Sequence, residues 1–446
     1  MTLLQTAERR GPGSAGTRAP APQRAIPEPP PPKPRVAWTF IYIAFLSYVF
    51  AITTFRLPIG EASMIAALVG LLLQRNPWRL PALLGWSVLF LAWCALGNLT
   101  TAFPSVVWEN VTLLAKLCLI MLVAANALRS PAQVRFYMIF FLACYALFPV
   151  RGALVNYLAH YTLLGRALWN YTYANPNDLA ALTLLILSVA AALLATERPG
   201  WIRYCTLAGI ALLPVLILMT QSRGGFIALC VFAAIAMVGQ RRVRRLRTAL
   251  IVVTLALAVA AVAPSGVWTR VKGLSQVTEN LDNVDPEGSA KARFQIWQVA
   301  MKIVGDHPWT GVGWGAYPMA HAEYAPLSGV DRTALGLRDT HSTYLNVLAE
   351  TGYPGLLLFL TLLVVVVREA ERARRLSERV QPRLALQIKY LELGLLAFLV
   401  AGIFGSFAKL SFLYLHLVLL WAVAQNAMRA IQSGRSIDSL PLARRT

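Results

Sequence analysis

Charge is what this sequence has least of: Asp, Glu, Lys and Arg make up 14% of its 446 residues, against 57% hydrophobic residues. A soluble domain carries roughly a quarter of its residues charged, so the balance excludes a soluble fold and implies a polytopic membrane protein. Cysteine is also scarce. Cys94, Cys118, Cys144, Cys205 and Cys230 all fall in apolar runs, which leaves none for a loop disulfide framework and makes them small packing residues. The five histidines, His160, His307, His321, His341 and His416, include no pair at metal-ligand spacing with a carboxylate, so the sequence offers no metal site. Nucleotide-binding loops are missing as well. Gly311-Val312-Gly313-Trp314-Gly315 lacks the last glycine of a dinucleotide fingerprint and has no strand before it; it reads as a tight backbone passage beneath aromatic residues. No internal repeat of 20 to 50 residues is present.

What is abundant is apolar sequence in lengths able to cross ~30 Å of hydrocarbon. The runs lie at 36–55, 58–74, 80–97, 107–128, 132–150, 176–196, 201–220, 224–240, 248–264, 344–367, 390–405 and 410–428. They predict an all-α integral membrane protein with about 12 transmembrane helices. Residues 1–35, rich in Pro, Gly and Arg, are expected to be a disordered cytosolic tail rather than a cleaved signal peptide. Helices 1 to 9 then occupy 36–264, a large extracytosolic loop with amphipathic helices 265–343, helices 10 to 12 344–430, and a second cytosolic tail 431–446.

The net charge of +21 could suggest nucleic acid as a partner, but its distribution is a topology signal. With the N-terminus in the cytosol, the positive excess falls in the tails and alternate loops, as the positive-inside rule expects. Arg241, Arg242, Arg244, Arg245 and Arg247 form one such loop, and the run from Arg368 to Lys389 forms another. Anchoring is their ordinary role, with contact to anionic membrane lipids next.

The exceptions to that rule are informative. Arg223 sits in Thr220-Gln221-Ser222-Arg223-Gly224-Gly225, a short turn on the side kept free of cations, where an anionic partner or snorkelling to headgroups would explain it. Arg151 and Arg166, in the extracytosolic segment 151–175 that ends in Asn175-Pro176-Asn177-Asp178, and Lys409 in the last extracytosolic turn pose the same choice. In the large loop, Ser289 opens a helix signature in which Arg293, Ile296, Trp297, Ala300, Met301 and Val304 recur at helical spacing, with Gly305 as its end. Such a helix could lie on the membrane surface, with Trp297 and Trp309 at headgroup level. His341 closes the loop just before the span that starts at Tyr344. With an ordinary pKa near 6.5, a histidine there can serve as general base; alone, it could equally cap a helix. His307 and His321 read as structural.

Taken together, Ser222-Arg223-Gly224, Arg293 with Trp297, Asp306-His307-Pro308-Trp309-Thr310-Gly311-Val312-Gly313, and His341-Ser342-Thr343-Tyr344-Leu345 with Glu350-Thr351-Gly352 resemble the O-antigen ligase and polymerase superfamily of bacterial envelope enzymes. The resemblance covers roughly residues 176–360 and is greatest to the ligases. It implies an inner-membrane enzyme with its site facing the periplasm, which makes the large loop periplasmic. It also implies transfer of a glycan from an undecaprenyl-pyrophosphate carrier to a hydroxyl acceptor, with no metal, nucleotide or other cofactor. Arg223 and Arg293 would bind the pyrophosphate, and His341 would deprotonate or orient the acceptor hydroxyl, inverting the anomeric centre. Arg151, Arg166, Lys409 and Tyr344 are weaker candidates for contact with pyrophosphate or glycan. A lipid A-core acceptor makes the enzyme an O-antigen ligase, a lipid-linked repeat a polymerase, and a Ser or Thr hydroxyl a protein O-oligosaccharyltransferase. One long loop late in the chain favours the ligase. A lipid-linked glycan transporter is the non-enzymatic alternative, but Lys116 and Glu392 are the clearest embedded charges and the two halves show no symmetry.

Overall fold

The computed structural model describes residues 36–238 and 289–432. Among the described residues the chain is helical, and its one piece of β pairing is an isolated bridge between Leu163 and Arg166. Helices α1 (Phe40–Thr54), α2 (Gly60–Leu73), α3 (Ala82–Leu96), α4 (Pro104–Ala127) and α5 (Pro131–Tyr145) come first. α5 continues through a π turn at Ala146–Val150, which contains Pro149, into α6 (Arg151–Leu158). Next come α7 (Pro176–Thr196), α8 (Trp201–Met219) and α9 (Arg223–Met237); then α10 (Ser289–Asp306), α11 (Tyr317–Tyr324), α12 (Thr343–Ser377), α13 (Pro382–Ala401) and α14 (Ser411–Gln432). Eight of these helical segments are long and apolar enough to cross a membrane, and α1, α2 and α9 are apolar but shorter. The protein is an all-α integral membrane protein.

Eleven of the twelve apolar runs therefore correspond to described helices, in order. The twelfth, 248–264, lies outside the described residues, as do the tail 1–35, the basic loop Arg241 to Arg247, loop residues 265–288 and the final residues 433–446.

Helix starts follow from local chemistry. α4, α5, α7 and α13 each begin with proline, whose missing N–H costs nothing in the first turn. Ser130 and Gln133 close a reciprocal capping box on α5; Asn175 accepts from Asn177 N to start α7, and Ser222 from Gly225 N to start α9. α7 is apolar and buried on nearly every side, as a helix without a polar face must be, and α14 is buried all round from Phe412 to Ala424. α7 runs along α13 and α8, α14 along α12, and the other spans pack around them.

One expected loop is mostly helix. Instead of forming a connection from Arg368 to Lys389, α12 continues to Ser377 and α13 already begins at Pro382. Glu371, Arg374, Arg375 and Glu378 pair at i,i+3 and i,i+4 along this extension, while Ala370, Ala373 and Ser377 are buried. Arg374 also reaches Glu392 at 3.4 Å, and Lys116 meets Glu61 at 2.6 Å, so both embedded charges noted in the sequence have partners.

α12 is broken within its membrane length. Gly352 has φ +68° and ψ −175°, and Pro354 follows, a pair that interrupts any α-helix. The freed carbonyls of the first half, 343–351, all find donors. Ala349 O accepts from Val312 N at 3.0 Å, Glu350 O from Gly313 N at 2.9 Å, and Thr351 O from Trp93 Nε1 at 2.9 Å; Tyr353 N turns away to Pro308 O at 2.9 Å. This accounting explains the glycines of 311–315, which were expected to form a tight passage. A Cβ on Gly311 would run into the backbone of Glu350 and Thr351, so the loop can satisfy the broken helix only without side chains there. Gly352→Ala is expected to cost at least about 2 kcal/mol, because alanine avoids that backbone region and its Cβ would meet the Trp309 carbonyl. Gly305→Ala, in α10 with nothing near its Cβ position, is the neutral control in a thermal melt.

Candidate functional site

His341 lies at the end of the bundle where α7, α9, α12 and α14 all begin. Its backbone is left-handed, φ +50°, a conformation rare for a residue with a Cβ and held only when the surroundings dictate it. The surroundings do so through the turn between α13 and α14. Thr343 N donates to Gly402 O at 2.7 Å, Thr343 Oγ1 to Gly405 O at 2.7 Å, and Phe407 N to Thr343 Oγ1 at 2.9 Å. On the other side of His341, Asp339 Oδ1 accepts from Thr340 N at 2.8 Å and from Ser406 Oγ at 2.9 Å, and Thr340 Oγ1 lies 3.0 Å from Ser406 Oγ. Tyr344 belongs to the same brace: its hydroxyl donates to Leu399 O at 2.8 Å.

α10 packs over this turn. Ile296, Val299, Ala300, Ile303 and Val304 are buried, and Tyr317 donates to Ile296 O at 3.2 Å. Most of its apolar face is therefore covered by protein, with Met301 left exposed, because α11 and α12 offer it a dry partner. Trp297 is not a headgroup anchor: its Nε1 donates to Thr340 O at 2.8 Å, next to His341. Trp309, by contrast, is exposed. Arg293, one turn before Trp297, acts on His341 directly. Burial first, and then the Arg293 cation, hold the His341 pKa below the usual imidazole value; Asp339 pulls it upward and Arg338 adds to the lowering. Neutral His341 is thus the favoured form.

Arg223 is the first residue of α9. A Cβ on Gly224 would strike Phe404, and one on Gly225 would strike Ala180, so α9 starts pressed against α7 and against the same 402–407 turn that holds Thr343. Gln221, two residues earlier, is also left-handed at φ +51°. Arg166 stabilises this turn, with Nε donating to Thr220 O at 2.9 Å and Nη2 to Asn177 Oδ1 at 2.8 Å; Ala167 N bonds Met219 O at 3.0 Å and Gln221 Nε2 bonds Gly165 O at 2.9 Å. The neighbouring residue on α7, Asp178, interacts electrostatically with Asp339. Hydrogen bonds therefore tie the Arg223 turn through Arg166 to Asn177 at the start of α7, and from Asp178 onward the link to Asp339, His341 and Arg293 is electrostatic.

The other candidates divide. Arg151 is exposed at the start of α6 and makes no ion pair among the described residues. Lys409 is committed to structure: its Nζ lies 3.0 Å from Oε1 of fully buried Glu350 and 4.9 Å over the Trp314 ring. His321 is buried with Nδ1 3.0 Å from Gly336 O, and His307 Nε2 meets Tyr324 Oη at 3.2 Å, both structural contacts. Sequence reasoning missed Asp178, Asp339 and Ser406. Asp339 stood two residues from His341 and Asp178 in an Asn-Pro-Asn-Asp helix start, but neither carries a spacing that marks it.

The arrangement can do a limited set of things. Helix N-termini and two arginines at one end of the bundle suit a phosphate-bearing ligand, and a half-buried imidazole whose neutral form is favoured suits proton abstraction. Among the described residues no three His, Cys, Asp or Glu side chains group as metal ligands. No curated protein matches the chain. Residues 207–360, which include Arg223, Arg293, His341 and the α12 break, match the family described as O-Antigen ligase.

Proposed function

We propose that the protein is an O-antigen ligase of the bacterial inner membrane. It transfers a polysaccharide from undecaprenyl pyrophosphate to a hydroxyl of the lipid A-core at the periplasmic surface. The observation that carries this reading is that α10, which bears Arg293, is tied to the His341 turn by the Trp297–Thr340 hydrogen bond, while the Arg223 turn and the His341 turn are both secured to the same 402–407 segment.

In this reading Arg223 and Arg293 grip the pyrophosphate of the donor through charge-assisted hydrogen bonds that strengthen as the leaving group gains charge. The acceptor oxygen attacks the anomeric carbon from the face opposite the pyrophosphate. Its C–O bond forms as the bond to the carrier breaks, and His341 takes the acceptor proton, so the product is inverted. Undecaprenyl pyrophosphate leaves with the bonding electrons. The donor carries its own activation, so no nucleotide is consumed.

Arg223→Ala and Arg293→Ala, each expressed in the source bacterium, are expected to give bare lipid A-core together with accumulated long carrier-linked polymer on gel analysis of lipopolysaccharide. Core bearing a single repeat would overturn the ligase reading in favour of a polymerase. Normal lipopolysaccharide with an unglycosylated protein would overturn it in favour of a protein O-oligosaccharyltransferase.

A further inference from the structure

At the opposite end of the bundle, the connections between α2 and α3 and between α4 and α5 are pinned to each other at Asn126 and carry Arg79 and Arg129. Arg129 Nη2 donates to Asn126 Oδ1 at 2.6 Å and to Pro77 O at 2.8 Å, and its Nε to Asn126 O at 3.0 Å. Arg79 Nη2 donates to Arg129 O at 3.2 Å, and the backbone of Arg79 pairs with the Asn126 amide in both directions. Every acceptor in this set is neutral. Segments 74–81 and 128–130 contain no Asp or Glu, and neither arginine forms an ion pair among the described residues. Arg79 Nη1 is buried with no hydrogen-bond partner. Burial holds the Arg129 pKa below the usual guanidinium value.

Two cations anchored to one another's connections, with only neutral acceptors and one buried N–H left unpartnered, suit an anion. The surface beside them says which kind. Leu72, Leu73 and Leu80 are exposed, as is Trp78, and α3 and α4, whose ends this cluster joins, are membrane spans. An apolar rim with an interfacial tryptophan around paired guanidinium groups fits a phosphate that arrives with acyl chains attached. A soluble phosphate would gain nothing from that rim. We propose that Arg79 and Arg129 form a binding site for the headgroup phosphate of an anionic glycerophospholipid, whose acyl chains lie along Leu72, Leu73 and Leu80. The site is on the membrane face away from His341 and holds a structural lipid, whichever glycan acceptor the enzyme serves.

The test uses the full-length protein reconstituted in nanodiscs of phosphatidylcholine with graded phosphatidylglycerol. Native mass spectrometry counts the lipids retained, and a thermal melt follows stability. Wild type is expected to retain phosphatidylglycerol in preference to phosphatidylcholine and to melt higher as its fraction rises. Arg79→Gln forfeits one side-chain hydrogen bond, so its fold is retained; it should lower that preference about fivefold, the worth of one interfacial guanidinium. Arg129→Lys, which keeps the charge but loses the fork, should lower it less. Exposed Arg75→Gln, which makes no contact in the cluster, should leave it unchanged. Equal retention by wild type and Arg79→Gln would overturn the site. So would equal stabilisation by inorganic phosphate in detergent, which would assign the cluster to a free anion.

Discussion

His341→Ala is expected to lower glycan transfer by roughly a hundredfold to ten-thousandfold, the usual worth of a positioned general base, with the protein still folded. Alanine itself is an imperfect probe, because residue 341 is left-handed and a non-glycine residue there costs about 1–2 kcal/mol. His341→Asn separates the effects, since asparagine tolerates that conformation and can still hydrogen-bond. If both variants lose transfer equally, the imidazole acts on the proton; if His341→Asn keeps more than about a tenth of the rate, its role is orientation.

The same reading fixes the direction of the pH dependence. A base must be unprotonated, and burial together with Arg293 favours neutral His341. Transfer should therefore survive to a lower pH than an ordinary imidazole would allow, falling away only below its usual value. Asp339 opposes that shift, so Asp339→Asn should move the acid limb lower still; the amide oxygen can go on accepting from Thr340 and Ser406. Arg293→Gln should move the limb upward as well as slowing transfer. A profile of purified enzyme that does not move for either variant would remove the electrostatic coupling from the account.

The fold was legible where the signal was local. Apolar runs and proline or serine starts located eleven helices, and opposite-charge pairs at helical spacing between Glu371 and Glu378 could have shown that α12 outlasts its membrane length. The candidate site was legible only in its charged and reactive members. Arg223 and His341 stood out because each sits where topology or chemistry makes it unusual. Arg293 stood on a helix whose apolar stripe announced burial but not its partner, and a membrane surface and a protein surface ask for the same stripe. Asp178, Asp339 and Ser406 come together from three separate segments, and no spacing along one chain encodes that meeting. Lys409 stood in the sequence as a lone cation in an extracytosolic turn, and its pairing with Glu350, 59 residues away, lies beyond any local signal.

Lys409→Met tests what that pairing does. Glu350 is 0% exposed, takes Lys409 Nζ and Asn346 Nδ2 on Oε1, and leaves Oε2 buried without a partner. Removing the lysine alone strands a buried carboxylate, which costs about 3–5 kcal/mol for a fully buried pair. Lys409 is 36% exposed, so the lower end of that range is expected for Lys409→Met, read as a marked loss of melting temperature in detergent. Glu350→Gln should cost much less, and the double variant should recover most of the loss, because a neutral pair leaves no charge to compensate. Glu350 sits in the half-helix that begins just after His341, so Lys409→Met should also depress transfer. The double variant then decides what that loss means. Transfer restored along with stability makes Lys409 a brace for the broken helix; stability restored without transfer would return Lys409 to the phosphate-binding cations, beside Arg223 and Arg293.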